Sequence, residues 1–194
     1  MSPTDRRAKP RTSSTDARAR LVEAVIQLAD TTPLPDLTAR RIAAEVGMDP
    51  NVIFRNFESL ENLFVAVLRH LEETTVDVLA SSDVMGLLPI REVFLWIKFS
   101  SWLSLTGTDP ALLEADPDLL NALRDLTVRH LNINPEMSDR AKSAAVVIAF
   151  SYMQAQVLFT PTQPQLFTDE AMRDSFDLLV AFIDQLGRQA DTLA

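Results

Sequence analysis

Residues 37–64 read LTARRIAAEVGMDPNVIFRNFESLENLF, and this stretch decides the fold. Thr38 can cap a short helix, because a threonine oxygen accepts a hydrogen bond from a backbone N–H of the first turn. Gly47 follows at the point where the end of that helix needs a residue in the left-handed region. Asp49 and Pro50 then start another helix, since proline at the first helical position loses no hydrogen bond. The spacing predicts two short helices joined by a tight turn.

Two short helices around a glycine turn have the pattern of a helix-turn-helix. The turn must be tight, so a residue that tolerates positive φ is required at Gly47. The second helix must be anchored by a few apolar groups, here Val52 or Ile53 together with Phe57. Its outward face then stays available for base edges in the major groove. Ser59 caps a longer helix that follows, and the whole stretch predicts a DNA-binding motif.

The same stretch resembles the DNA-binding domain of the TetR-type repressors. The shared features are a threonine-capped helix with basic residues, a glycine turn, and a short helix that ends in an aromatic-x-x-Phe element. The resemblance covers residues 16–68, and beyond them only the helical layout and the total length agree. It implies an all-α fold, in which an N-terminal three-helix helix-turn-helix domain precedes a helical domain for ligand binding and dimerisation.

The resemblance also implies which residues meet DNA. By position, Arg40 is aimed at a base edge or a phosphate, and the second short helix lines the groove. Arginine can fork onto guanine and asparagine can pair with adenine, each contributing ~1–3 kcal/mol of discrimination. The alternative is that Arg40 and Arg41 lie on an ordinary solvated helix face. The predicted DNA-contacting residues are Thr38, Arg40, Arg41, Asp49, Pro50, Asn51, Val52, Phe54, Arg55 and Asn56.

Three features depart from the family pattern. Phe54 stands where the family usually has tyrosine, and Leu60 stands where it usually has lysine, so two donors to phosphate are missing. Residues 33–36, PLPD, replace the glycine that usually precedes the second helix. Lost phosphate donors weaken binding to any DNA sequence. We hypothesise that the basic N-terminal arm, residues 1–15, compensates by neutralising phosphates or entering the minor groove.

Charge is unevenly distributed along the 194 residues. The formal net charge is −9, yet residues 1–20 carry six basic and two acidic side chains, a local charge of +4. A positive end on an acidic body can orient a protein on a polyanion. The alternative is a solvated tail without function. Residues 1–15 also lack apolar periodicity, which is typical of a disordered segment.

The apolar block of residues 93–105 predicts a buried helix in the body of the protein. TetR-like bodies usually bind small effectors, so the resemblance implies that this helix walls an apolar pocket. Plain core packing is the alternative for each of its side chains. A mostly apolar lining suits a small lipophilic or aromatic effector. The candidate residues are Phe94, Trp96, Lys98, Phe99, Trp102, Asn121, Arg124 and Tyr152, with His130 as a further polar candidate.

The last two helical blocks, residues 138–159 and 168–189, predict a pairing surface. The first has almost no polar face, and the second is apolar on two sides, with Leu178 and Phe182 facing away from the main stripe. A terminal helix that is apolar on two sides needs a second partner. The resemblance implies a four-helix bundle in a homodimer; a monomer whose last helices complete the core is the alternative. The predicted interface residues are Ile148, Tyr152, Phe159, Phe176, Leu179 and Ile183.

An enzyme is not expected. Four glycines leave no phosphate-cradling loop, and two isolated histidines without any cysteine leave no metal site. We expect no cofactor. Glu72 and Glu73 with Asp77 are interpreted as a solvated helix face rather than an acid–base site.

Location and domain limits follow from the same patterns. The longest apolar stretch is too short to span a bilayer, and the N-terminus lacks a secretory signal, so we expect a cytoplasmic protein without a membrane partner. The predicted segments are the arm at 1–15, the helix-turn-helix domain at 16–58, and the effector-binding and dimerisation domain at 59–194. The predicted function is a transcriptional repressor released from a palindromic operator by its effector. The alternative is a helical protein-interaction module with a degenerate helix-turn-helix.

Overall fold

A computed structural model describes residues 14–81, 91–130, 137–160, 163–166 and 168–190. Across these residues the chain is helical and contains no strand, so the predicted all-α fold is confirmed. Most of the predicted basic arm, residues 1–13, lies outside the described residues. Single 3-10 turns occupy Leu34–Asp36 and Pro110–Leu112. The helices are α1 (Ser14–Ala29), α2 (Ala39–Glu45), α3 (Asn51–Phe57), α4 (Leu60–Ser81), α5 (Arg91–Thr106), α6 (Pro117–His130), α7 (Asp139–Phe159) and α8 (Asp169–Ala190).

Two compact units divide the chain, and the division falls between Val67 and Leu68. It lies beyond the predicted boundary after residue 58, because α4 begins in the first unit and ends in the second. The first turns of α4 place the buried side chains of Leu63, Phe64 and Val67 in the first unit. The predicted boundary was drawn at the start of α4, whereas the first turns of this helix pack into the core of the first unit.

Side-chain caps set the limits of the short helices. Thr38 Oγ1 accepts a hydrogen bond from the Arg41 N–H at 3.3 Å. Asp49 Oδ1 accepts from the Asn51 N–H at 2.8 Å, and Ser59 Oγ accepts from the Asn62 N–H at 3.0 Å. These bonds satisfy backbone donors that have no partner within the helix. The three predicted caps are confirmed.

The turn between α2 and α3 depends on Gly47. Its φ is +65°, in the left-handed region that favours glycine. The N–H of Met48 donates to the Ala43 carbonyl at 2.8 Å, and the N–H of Gly47 donates to the Ala44 carbonyl at 3.1 Å. This pair of bonds ends α2 in a Schellman motif. The predicted left-handed cap is confirmed.

The second unit is built around α7, which contacts α5, α6 and α8. Alanines on one side of α7, at positions 141, 145 and 149, are buried and allow close helix packing. Among the described helices, α7 alone is long and apolar enough to cross a membrane by length and composition. Core helices of soluble proteins pass the same test, so this is weak evidence for a membrane span. Only 28% of the apolar window of α7 is buried, which leaves much of the helix uncovered.

Candidate functional site

The helix α3 has an inner side that anchors it and an outer side that is exposed. Ile53 and Phe57, one turn apart, are buried, whereas Val52 is only half-buried. This resolves the choice between Val52 and Ile53 as the anchor in favour of Ile53. The outer side carries Asn51 and Arg55, which are exposed.

The exposed side chains that the two short helices could offer to DNA are here called the outer surface. We define it by five exposed side chains of α2 and α3, namely Arg40, Arg41, Asn51, Phe54 and Arg55. Ala44 and Glu45, at the end of α2, are also exposed and are not included. Phe54 is 48% exposed, which is unusual for a phenylalanine side chain. The other predicted residues are placed nearby: Thr38 and Asp49 are exposed and act as caps, and Pro50 is half-buried.

Asn56 does not belong to the outer surface. Its Nδ2 donates to the Val52 carbonyl at 2.7 Å, and its Oδ1 accepts from Ser14 Oγ at 2.8 Å. Both ends of the amide are therefore used within the first unit, and the side chain is half-buried. The prediction that Asn56 reads a base is corrected: in this arrangement the amide ties the start of α1 to α3. A partner 42 residues away is not visible in the sequence.

Two arginines of α1 hold the helix-turn-helix together. Arg18 donates to the Asn56 carbonyl, and its guanidinium carbon lies 4.2 Å from the centre of the Phe57 ring. Arg20 Nη2 donates to the Val46 carbonyl at 2.9 Å. Both carbonyls lie at helix C-termini, where cations are favoured by the helix dipole. The sequence indicated only that these residues contribute to a basic end.

Replacing Arg18 by glutamine is expected to lower the thermal midpoint of unfolding by roughly 2–4 °C. The change removes one hydrogen bond and one cation–π contact at an exposed site, together worth about 1 kcal/mol. Circular dichroism during heating measures the shift. Arg173→Gln, at an exposed position of α8, is the matched control and is expected to leave the midpoint unchanged. Equal shifts in the two variants would contradict the role assigned to Arg18.

A cavity of about 780 Å³ lies in the second unit, between α5, α6 and α7. Its floor includes Trp96 and Phe150, whose ring centres are 5.4 Å apart. Most of the remaining lining is aliphatic or small and polar. It consists of Ser100, Ser101, Ser104, Leu105, Leu113, Ala115, Leu120, Asn121, Leu123, Arg124, Ser143, Val146, Val147, Ser151, Met153, Gln154 and Leu158.

The cavity contains three of the predicted pocket residues, Trp96, Asn121 and Arg124. The other predicted residues are placed elsewhere, and the side chain of His130 lies outside the described residues. Phe99 is fully buried in the core, Phe94 is exposed, and Lys98 and Trp102 are half-buried. Tyr152 points toward α8, because its hydroxyl donates to the Met172 carbonyl at 3.0 Å and lies 2.7 Å from Ser175 Oγ. The residues that do not line the cavity are Phe94, Lys98, Phe99, Trp102 and Tyr152.

The wall formed by α7 was missed by sequence reasoning. Its lining residues recur every three or four positions, for example Ser143, Val147, Ser151, Gln154 and Leu158. Such spacing marks one face of a helix. This spacing was visible in the sequence. An almost wholly apolar helix, however, has no polar face that distinguishes the side lining a cavity from the side packed in the core.

A buried carboxylate lies behind the cavity. Glu72 is 2% exposed and accepts from Arg69 Nη1 at 2.6 Å and from Trp96 Nε1 at 3.3 Å. Arg69 also donates to the carbonyls of Glu114 at 2.7 Å and Leu112 at 3.1 Å. The interpretation of Glu72 as part of a solvated face is corrected, although its neighbour Glu73 is exposed. These bonds join α4 to Trp96 and to the segment that precedes α6.

Some of the residues predicted for the dimer interface in α7 and α8 are buried within the chain, and others are exposed. Leu179 and Ile183 are buried within the chain, so they are not available to a partner. On the next stripe of α8, Leu178 is 70% and Phe182 is 51% exposed. Of the remaining predicted interface residues, Phe159 is exposed, and Ile148, Tyr152 and Phe176 are half-buried.

Solved structures with the same fold include two with high coverage. One is a transcriptional regulator from Rhodococcus sp. Rha1, with a TM-score of 0.62 and 17% identity, covering 87% of this chain and 96% of the other. The second is the multidrug binding protein EbrR complexed with ethidium, with a TM-score of 0.52 and 20% identity, covering 84% of this chain and 98% of the other. The chain shares the all-helical fold of these two structures.

This is the fold implied by the resemblance of residues 16–68 to the TetR-type repressors. No protein-family model and no curated protein matches the sequence. Within the described residues, no group of three or more histidine, aspartate or glutamate side chains could hold a metal ion.

Proposed function

We propose that the chain is a DNA-binding transcriptional regulator, a homodimeric repressor that a small lipophilic or aromatic effector releases from a palindromic operator. The observation that carries this proposal is the division of α3 into two sides. Ile53 and Phe57 anchor the helix, while Asn51 and Arg55 are exposed on its outer side. A recognition helix needs this arrangement, because its base-reading groups must reach the major groove from a rigid support.

The outer surface offers each kind of contact that base reading uses. Arg55 can fork onto guanine and Asn51 can pair with adenine. Arg40 and Arg41 on α2 supply positive charge for phosphates, which fixes the register of the protein on the duplex. The exposed ring of Phe54 cannot donate to phosphate, but an apolar side chain at this position can contact the methyl group of thymine.

Selection from random duplex DNA tests the proposal. Purified chain is incubated with the pool in moderate salt, and the bound fraction is sequenced. A palindromic consensus would support a dimer that reads DNA, because two-fold symmetry in the protein requires it in the operator. Weak binding without sequence preference would favour the second candidate, a helical protein-interaction module. The exposed Phe54 and the missing donors at Phe54 and Leu60 are the observations that support that candidate.

The proposal of a homodimer rests on uncovered apolar residues in the last two helices. Val147, Leu158 and Phe159 of α7 are exposed, as are Leu178 and Phe182 of α8. The two helices contact each other, and large exposed apolar surfaces mark interaction sites. Val147 and Leu158 line the cavity, so we assign only the other three residues to the pairing surface. Leu179 and Ile183 are removed from it because they already pack within the chain.

Introducing glutamate at both Leu178 and Phe182 is expected to convert the dimer to a monomer at micromolar concentration. A two-fold symmetric interface contains each residue twice, once from each subunit, so both new carboxylates would be buried in two copies. A buried unpaired carboxylate costs several kcal/mol. Light scattering coupled to size exclusion measures the mass. Leu112→Glu, at an exposed leucine outside α7 and α8, is the control and is expected to remain dimeric. A wild-type chain that elutes as a monomer would refute the pairing surface.

The cavity in the second unit supports the effector part of the proposal. Its volume lies within the range of small-molecule sites, and its lining is mostly apolar. EbrR, which shares the fold, has been solved with ethidium bound. For an effector to cause release, it must bind the DNA-bound and the released conformations with different affinities. We place the protein in the cytoplasm, without an enzymatic activity or a membrane partner.

A further inference from the structure

Among the described residues that line the cavity, Arg124 is the single charged side chain, and no aspartate or glutamate is present. Glu72 bonds to the cavity residue Trp96, but it is paired with Arg69 and does not line the cavity. A cationic ligand would therefore enter a mostly apolar site without a counter-charge, which is strongly unfavourable.

We propose that the effector of this cavity is an organic carboxylate with an elongated apolar body, and that Arg124 binds its carboxylate group. This inference rests on the proposed function and specifies the effector class. A guanidinium and a carboxylate form short, charge-assisted hydrogen bonds, and two parallel bonds can form at once.

The position of Arg124 suits a ligand headgroup. Its side chain is 53% exposed, so it lies where the cavity meets solvent. The Nε atom forms a long ion pair with Asp125 Oδ1 at 3.7 Å. Both side chains are more than half exposed, so water screens this pair and a ligand carboxylate can compete for the guanidinium. Asn121 lies one turn earlier on α6 and also lines the cavity, so its amide adds an N–H donor beside the guanidinium. A carboxylate held there keeps part of its hydration, which limits the cost of desolvation.

The rest of the cavity suits an elongated apolar body. The lining residues of α7 extend from Ser143 to Leu158, which corresponds to roughly 22 Å of helix. Trp96, Phe150 and Leu123 contribute apolar surface between the helices.

Three ligands with the same alkyl chain and different headgroups isolate the contribution of the headgroup to the affinity. Tetradecanoate, tetradecanol and tetradecyltrimethylammonium are titrated separately into the full chain, below the concentrations at which they form micelles. Isothermal titration calorimetry gives each dissociation constant. We expect the carboxylate to bind about tenfold or more tightly than the alcohol, and the cation to bind weakest.

Variants then assign the preference to Arg124. Arg124→Gln is expected to abolish the preference for the carboxylate while binding of the alcohol is unchanged, which also shows that the cavity is intact. Arg140→Gln, at an exposed position of α7 outside the cavity, is the matched control and is expected to behave like the wild type. The proposal would be overturned if the wild-type chain bound the cation or the alcohol as tightly as the carboxylate, or more tightly. An unchanged carboxylate preference in Arg124→Gln would overturn it as well.

The calorimetry contains no DNA, so its outcome is separate from the proposed regulation. Binding of the carboxylate by a chain that selects no DNA sequence would refute the regulator and support this ligand class. A chain that selects a palindrome but prefers the cation would support the regulator and refute this ligand class.

Discussion

Replacing Arg55 by alanine is expected to lower the affinity of the chain for its selected duplex by about tenfold to a hundredfold for each half-site. Arg55 lies on the outer side of α3 and is exposed, so its removal should take away a base contact without disturbing the core. The thermal midpoint is therefore expected to remain within about 1 °C of the wild type, as for most surface substitutions. Fluorescence anisotropy of labelled duplex measures the affinity.

A charge-matched control separates base reading from general electrostatics. Arg140→Ala removes the same charge from an exposed position of α7. It is expected to leave the affinity for the selected duplex nearly unchanged at physiological salt, because Arg140 belongs to neither helix of the helix-turn-helix. If Arg55→Ala binds the selected duplex as tightly as Arg140→Ala does, α3 is not the recognition helix.

Replacing Glu72 by alanine is expected to destabilise the protein by about 2 kcal/mol and to lower its thermal midpoint by roughly 4–8 °C. The change leaves the Trp96 N–H without its acceptor and Arg69 without its counter-charge. Breaking a fully buried pair costs more, but the Arg69 side chain is 39% exposed and water compensates part of the loss. Circular dichroism during heating measures the shift.

The neighbouring residue provides the control for Glu72. Glu73→Ala removes the same charge from the same helix, but Glu73 is exposed. Its midpoint is expected to stay within about 1 °C of the wild type. Glu72→Gln should fall between the two, because an amide oxygen still accepts from Trp96 while the ion pair is lost. Similar midpoints for Glu72→Ala and Glu73→Ala would show that the buried carboxylate has no stabilising role.

The features that the sequence predicted well are local. Thr38 caps a residue three positions away, Asp49 caps one two positions away, and Gly47 adopts its positive φ at the turn itself. Such interactions depend on residue type and spacing within about one helical turn. The same locality explains why the predicted blocks at 138–159 and 168–189 agree with α7 and α8 to within one residue at each end.

The features that the sequence did not predict depend on partners far along the chain. Glu72 meets Trp96 across 24 residues, and the Asn56 amide meets Ser14 across 42. Neither residue type nor periodicity indicates such a pairing. The same limit applies to α8, where two apolar stripes lie side by side. Leu179 is buried and Leu178 is exposed only because the packing against α7 selects one stripe.

The cavity has some lining residues that the sequence predicted and others that it did not. Asn121 and Arg124 were predicted as candidates because polar groups are rare among the apolar positions of the second unit. The α7 wall was instead assigned to pairing, since an apolar helix can serve either purpose. The structure shows that one side of α7, including Leu158, lines the cavity, while the exposed Phe159 is assigned to pairing.

The central claim is that the chain reads a DNA sequence through α3, and a specificity ratio tests it most directly. The dissociation constant for the selected duplex is compared with that for a scrambled duplex of the same composition, both in salt of physiological strength. A regulator is expected to prefer the selected duplex by about a thousandfold or more. A ratio near one would contradict the account, because phosphate contacts alone bind every sequence equally.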